Sequence, residues 1–165
     1  FAGKVENFYN ACENSAVKMA DTVANWDSFK DSTIYKGREV YILKRAQILA
    51  ADIDLVYKEF TDMDKITIFA DNKVPHTLLY DDVIEYSDNL QSRINNREPI
   101  KAGSEEEIEM RAASIHVVEL MKEFLHAQGR TDIRSVDLDR LLWHRGEYEE
   151  KFTAKPCHIT KTTCY

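Results

Sequence analysis

Residues that break, staple or hinge a chain are scarce in this sequence. Five glycines and three prolines in 165 residues leave no Pro/Gly-rich linker at which to divide it. One domain with a sizeable core is therefore expected. The three cysteines, Cys12, Cys157 and Cys164, form neither a CxxC pair nor a zinc spacing. An odd number without a framework points to a reducing compartment, so the expected location is cytoplasmic. No apolar run approaches membrane-spanning length and no signal peptide is visible, so no membrane association is expected. Positive charge is also in deficit. A net charge of −7 argues against stable nucleic-acid binding, which normally needs a basic face, yet allows a small nucleotide held by one or two local cations. A phosphate-cradling glycine loop, GxSxG and HExxH are all missing.

What remains is an ordinary soluble composition, 44% hydrophobic and 31% charged, with strong helical periodicity. In "YILKRAQILAADIDLVYKEF", residues 41–60, a 100° step gathers Ile42, Ala46, Leu49, Ile53, Val56 and Phe60 onto one arc, the expected buried face. Lys44 and Gln47 point away from it. Arg45 and Asp52 fall together at its edge, where partial burial is expected. Residues 4–12 and 15–26 read as two short helices, the second capped by Asn14 or Ser15. "STIYKGREVYI" alternates around Gly37 and reads as a small hairpin or an extended lead into the next helix. In residues 65–80 the β-branched run suggests a strand, but Ile66, Phe69 and Ala70 also fit helical spacing; two short helical pieces meeting near Val74-Pro75 are preferred, because Pro75 lacks an amide donor. Ser87 opens another short helix.

"AGSEEEIEMRAASIHVVELMKEFLHAQG" is bounded by a Ser104/Glu107 capping box and by Gly129. Met110, Ala113, Val117, Leu120, Met121 and Phe124 form one apolar face, and Ile108, Ala112 and Ile115 a second, so this helix should be central. "DIRSVDLDRLLW" reads as a further helix and "AKPCHITKTTCY" as an extended tail. The fold class is mainly α, with at most a small β-hairpin.

Two aspartates invite a chemical reading. Arg45 and Asp52 could simply pair, and Asp71 in "FADNKVP" could simply cap a helix. If Asp52 and Asp71 share a cleft, they can instead take different protonation states, the arrangement that glycoside cleavage uses around an oxocarbenium-like transition state. Glu119 reads best as a partner for Arg111. Trp143 reads as a core residue ahead of a stacking platform. Cys157, His158 and Cys164 lack a specific metal spacing, so no metal and no cofactor are expected.

In this order, "YKGREVYILKRAQILAADI", "ITIFADNKVP", "GSEEEIEMRAASIHVVELM" and "LLW" closely resemble the queuosine salvage protein family. The resemblance runs from "NSAVKMADTVANW" to the "PCHITKTTCY" tail. It implies a helical fold related to DNA glycosylases, and hydrolysis of queuosine 5′-phosphate to release the deazaguanine base queuine for tRNA modification. The alternative is a non-catalytic module that binds queuine or a related deazapurine. By resemblance, Asp52 and Asp71 are the catalytic candidates, and Arg45, Lys73, Trp143 and His158 the substrate-binding ones. Residues 1–165 would be the C-terminal portion of a family domain, completed by an N-terminal segment or a partner chain. The sequence departs from the family pattern at Asn72 and His76, where an aromatic residue and a glutamine are usual, and at Pro156-Cys157-His158, where two histidines commonly follow the proline.

Overall fold

The computed structural model describes residues 3–58 and 60–165. Its helices are α1 (Val5–Ala11), α2 (Ala16–Ala24), α3 (Lys44–Tyr57), α4 (Lys73–Tyr80), α5 (Asp88–Asn95), α6 (Glu105–Ala127), α7 (Ser135–Tyr148) and α8 (Glu150–Thr153). Strands β1 (Ser32–Tyr35) and β2 (Arg38–Tyr41) form one antiparallel hairpin between α2 and α3. Its two-residue turn places Lys36 and Gly37 at positive φ, the conformation that matches the twist of paired strands. Ser15 and Ser87 cap α2 and α5 as their spacing suggests. At α6, Ser104 accepts the Glu107 N–H, while the Glu107 carboxylate takes the N–H of Gly103.

Two apolar clusters make up most of the interior. One joins α1, α2 and α3 through Phe8, Met19, Val23, Ala46 and Ala50. The other joins α4, α6 and α7 through Val74, Leu78, Val118, Leu138 and Leu142. Between them runs an extended segment, Ile66 to Ala70. Ile66 and Phe69 enter the first cluster, Ile68 and Ala70 the second. This corrects the helical reading of residues 65–70: only Met63–Lys65 form a short 3₁₀ turn. Nor does Pro75 break a helix. It lies in the first turn of α4, where a missing N–H costs no intrahelical bond.

The long helices also turn differently from their expected faces. On α3 the buried residues are Ala46, Gln47, Ala50 and Ala51, whereas Val56 is 75% exposed. Small side chains let α3 lie close against α2, and that proximity outweighs the hydrophobicity of the longer residues. Ile42 is buried but precedes the helix, Phe60 follows it, and position 59 lies outside the described residues. On α6, burial ends near Val118, and Leu120 and Phe124 are exposed, so only the N-terminal half is central.

A close contact joins α4 to α7. A Cβ at Gly146 would stand 2.4 Å from Thr77 Oγ1 and 3.3 Å from the Lys73 carbonyl oxygen. Thr77 Oγ1 cannot easily withdraw, since it lies 3.0 Å from both the Lys73 and the Leu142 carbonyl oxygens and shares its one proton between them. Gly146→Ala should therefore cost about 1–3 kcal/mol by overpacking, measured by urea denaturation. Unchanged stability would show that the two helices can part freely.

Candidate active site

Among the described residues the extended segment has no strand partner, so its buried peptide groups need other partners. Side chains from three helices supply them. Gln47 of α3 accepts the Thr67 N–H at 2.9 Å, Asp139 of α7 accepts the Phe69 N–H at 2.8 Å, and Arg111 of α6 donates Nε–H to the Ala70 carbonyl at 2.8 Å. Gln47 is thus buried, contrary to its expected solvated position, and its amide also donates to the Ile42 carbonyl.

Arg111 is itself held by carboxylates. Its guanidinium donates to both oxygens of Asp31, at 3.0 and 2.7 Å, and to Glu107 at 3.3 Å. Asp31 in turn accepts the backbone N–H of Lys44 at the start of α3. Glu119 is not the partner of Arg111: it pairs with Lys122 and accepts from Ser135.

This framework ends in a hollow of about 440 Å³ where the segment meets α3 and α7, a size suited to a small organic ligand. Asp71 and Phe69 line it from the segment, Lys44, Ile48 and Asp52 from α3, and Asp139, Arg140, Trp143 and His144 from α7. Asp52 and Asp71 therefore share one cavity. Asp52 is exposed at the rim, not partly buried as its place on the stripe suggests, whereas Asp71 and Asp139 are buried. Trp143 is 38% exposed and offers a ring edge or face to the opening, not to the core.

The two buried carboxylates are held differently. Asp71 Oδ1 accepts two N–H groups at the start of α4, from Lys73 at 2.7 Å and Val74 at 3.2 Å. Burial pushes its pKa up, opposed by Lys44, these two hydrogen bonds and Arg111. Asp139 has one backbone N–H, that of Phe69. Burial, aided by the charge of Asp71, pushes its pKa up to about 7 against the opposing pull of that hydrogen bond, Lys44 and Arg140.

The other sequence candidates are dispersed. Arg45 does not pair with Asp52. It donates to the carbonyls of Ser28 at 2.7 Å and Thr163 at 3.2 Å, and lines an adjoining hollow with Phe29, Leu49 and Tyr165. Lys44, Ile48 and Asp52 form the wall common to both hollows. Lys73 turns to Glu147, with Nζ 2.7 Å from the carboxylate. His158 is buried against the Tyr165 ring, and burial lowers its pKa to about 4. Neither Lys73 nor His158 lines the hollow. Among the described residues, no three His, Cys, Asp or Glu side chains group as metal ligands.

Sequence reading missed Lys44 and Asp139. Asp139 did leave a sign: a helical step places it between Val136 and Leu142, at the centre of the buried stripe of α7. Lys44 left none, because its direction depends on where α3 begins.

Over residues 1–165 the chain matches the family described as queuosine salvage protein. It is 38% identical over 153 residues to a queuosine 5′-phosphate N-glycosylase/hydrolase of Dictyostelium discoideum, covering 89% of this chain and 47% of that protein. A protein of the same description from Sphaerobacter thermophilus is 37% identical over 171 aligned positions, covering 100% of this chain and 52% of its own length. The Mus musculus protein so described is 32% identical over 178 positions, with 100% and 53% covered. The chain spans about half the length of these curated relatives.

The proton on Asp139 should be visible in stability. Between the ordinary carboxylate range near 4 and about 7, the unfolded chain has released this proton while the folded chain keeps it. The folded state binds more protons there, so stability falls as pH rises through that window and levels off above it. Asp139→Asn should flatten that slope and raise stability above pH 7, by on the order of 4 kcal/mol at most. Urea denaturation from pH 4 to 8 measures both effects, and an unchanged slope would show that Asp139 is ionised throughout.

Proposed function

The chain belongs to the queuosine salvage protein family, and on that footing we propose that its hollow binds queuosine 5′-phosphate and hydrolyses the bond between ribose and base, releasing queuine for reuse in tRNA modification. One observation carries this reading: Asp52, Asp71 and Asp139 converge on a single cavity that also holds aromatic surface and a lysine, Lys44. A planar base can stack on Phe69 or Trp143. Asp71 Oδ2 takes no hydrogen bond among the described residues, and can accept from the amidine-like edge of a deazaguanine.

The charges divide the remaining work. Lys44 has no ion pair among the described residues, and Arg140 reaches Asp137 only at 3.9 Å. These two cations suit the 5′-phosphate better than Lys73, which Glu147 occupies. Arg45 can contribute where the adjoining hollow opens onto the same wall.

As the base departs, positive charge grows on the ribose. A carboxylate beside it stabilises that charge and orients the attacking water. Asp52 suits this role because it stands at the rim, open to solvent. No step requires a cofactor. Three free thiols support a reducing, cytoplasmic setting, and among the described residues no helix is long and apolar enough to cross a membrane.

The test is queuine release from queuosine 5′-phosphate by the intact polypeptide and by Asp52→Asn. The amide keeps the shape and removes the charge, so single-turnover rate should fall by about 10²–10⁴-fold. Stability should change by less than about 0.5 kcal/mol, as for an exposed substitution. A folded variant with a near-normal rate would remove Asp52 from the mechanism. A wild-type protein that binds queuine without releasing it from the nucleotide would overturn the hydrolase reading.

A further inference from the structure

Cleavage of a nucleosidic bond leaves an electron pair on the base nitrogen, and that nitrogen must gain a proton. A 7-deazaguanine has carbon where guanine has its imidazole nitrogen N7. The usual route of weakening the bond by protonating N7 in advance is therefore closed, which increases the value of an acid fixed beside the departing ring.

Resting on the function proposed above, we propose that Asp139 is the general acid of this hollow, delivering the proton that the base takes up as its bond to ribose breaks. Asp139 combines a fixed position with a free oxygen. Its Oδ1 is anchored by the Phe69 N–H at 2.8 Å. Its Oδ2 takes no hydrogen bond among the described residues, and the side chain lines the hollow while only 5% exposed. Phe69, whose N–H provides the anchor, also lines the cavity, so acid and stacking surface are in register with each other.

The groups around Asp139 decide which carboxyl carries the proton. Asp71 faces it from the segment before α4, Lys44 and Asp52 face the hollow from α3, and Arg140 and His144 adjoin it on α7. Two buried carboxylates in one cavity disfavour double ionisation. Asp71 has two N–H donors at a helix N-terminus, both of which favour the anion. Asp139 has one donor and a negative neighbour, so the proton resides there. The pKa near 7 agrees with that assignment, and a value close to working pH is where a general acid is most effective.

The step balances without a further reactant. The bond between C1′ and the base nitrogen breaks, its electron pair stays on the base, and the Asp139 proton goes to that nitrogen. Water adds to C1′ and gives up a proton through Asp52 to solvent, from which Asp139 is reprotonated. The products are queuine and ribose 5-phosphate.

The experiment compares the intact wild-type polypeptide with Asp139→Asn on two substrates. Queuosine 5′-phosphate needs a proton on its leaving group, whereas 4-nitrophenyl riboside 5-phosphate expels a stable anion and needs none. Asparagine retains the oxygen that accepts from Phe69. On queuosine 5′-phosphate, kcat/KM should fall about 10²–10⁴-fold, the range for loss of a general acid, with the nitrophenyl substrate changed less than about threefold. The wild-type decline in kcat/KM as pH rises through about 7 should disappear in Asp139→Asn and persist in Asp139→Glu, which retains an acid. Equal losses on both substrates, or a pH limb that survives in Asp139→Asn, would make Asp139 a structural clamp and overturn the proposal. The pH limb decides the matter if the nitrophenyl compound is a poor substrate; if the asparagine variant fails to fold, Asp139→Glu decides it, since replacing the acid must move the limb whereas a clamp residue leaves it in place. Failure of the underlying hydrolase reading is recognised separately, by the absence of queuine release in the wild type.

Discussion

An extended segment that crosses a helical core without a neighbouring strand has to find hydrogen bonds for its peptide groups, and most of this structure is arranged around that requirement. Gln47, Asp139 and Arg111 come from three different helices, and each reaches the stretch from Thr67 to Ala70. An unpaired buried peptide group costs about 1–3 kcal/mol, so these polar side chains are structural necessities before they are anything else. The segment in turn fixes where Phe69 and Asp71 stand. The position of the hollow follows from how the backbone is satisfied.

Electrostatics propagate outward from the same anchors. Arg111 brings a full positive charge into the interior, and Asp31 and Glu107 neutralise it there. Removing one partner of such a cluster strands the others, which is costly in a way that exposed pairs are not. Because Asp31 also caps the Lys44 N–H, the ion cluster sets the start of α3 and therefore the direction of Lys44 and Asp52. The Tyr165 ring covers the guanidinium at 4.6 Å, sealing this arrangement beneath the tail. Asp139 combines two duties, holding a peptide and lining a cavity: burial and the neighbouring charge of Asp71 raise its pKa, while the hydrogen bond to the peptide pulls it down.

Local rules recovered what depends on local geometry. The caps at Ser15, Ser87 and Ser104, the Lys36–Gly37 turn and the existence of the long helices all follow from nearby residues. They failed where tertiary packing overrides pattern. Ile66, Phe69 and Ala70 fit a helix by spacing, but they are divided between two cores that only an extended chain can reach at once. Gln47 looks solvated on a helical wheel, and becomes buried because the segment needs an acceptor. Asp52 and Asp71 stood out as chemical residues. Lys44 and Asp139 did not, since their role exists only after α3 and α7 have docked across the segment. The family resemblance suggested the substrate class proposed above, while the separation of Lys73 from the hollow required the Glu147 ion pair to be seen.

The way the segment is anchored also bears on time. A strand at the edge of a ladder can fray one hydrogen bond after another from its end. Here the amides of Thr67 and Phe69 are bound to side chains on α3 and α7, and the carbonyl of Ala70 to α6. None of these bonds can be released in sequence along one element, because each belongs to a different helix. Opening the wall of the hollow requires the helices to separate together, as one cooperative unit. The cavity floor thus persists for as long as the core does, while the exposed rim residues remain free to move on the much shorter timescale of side-chain rotation.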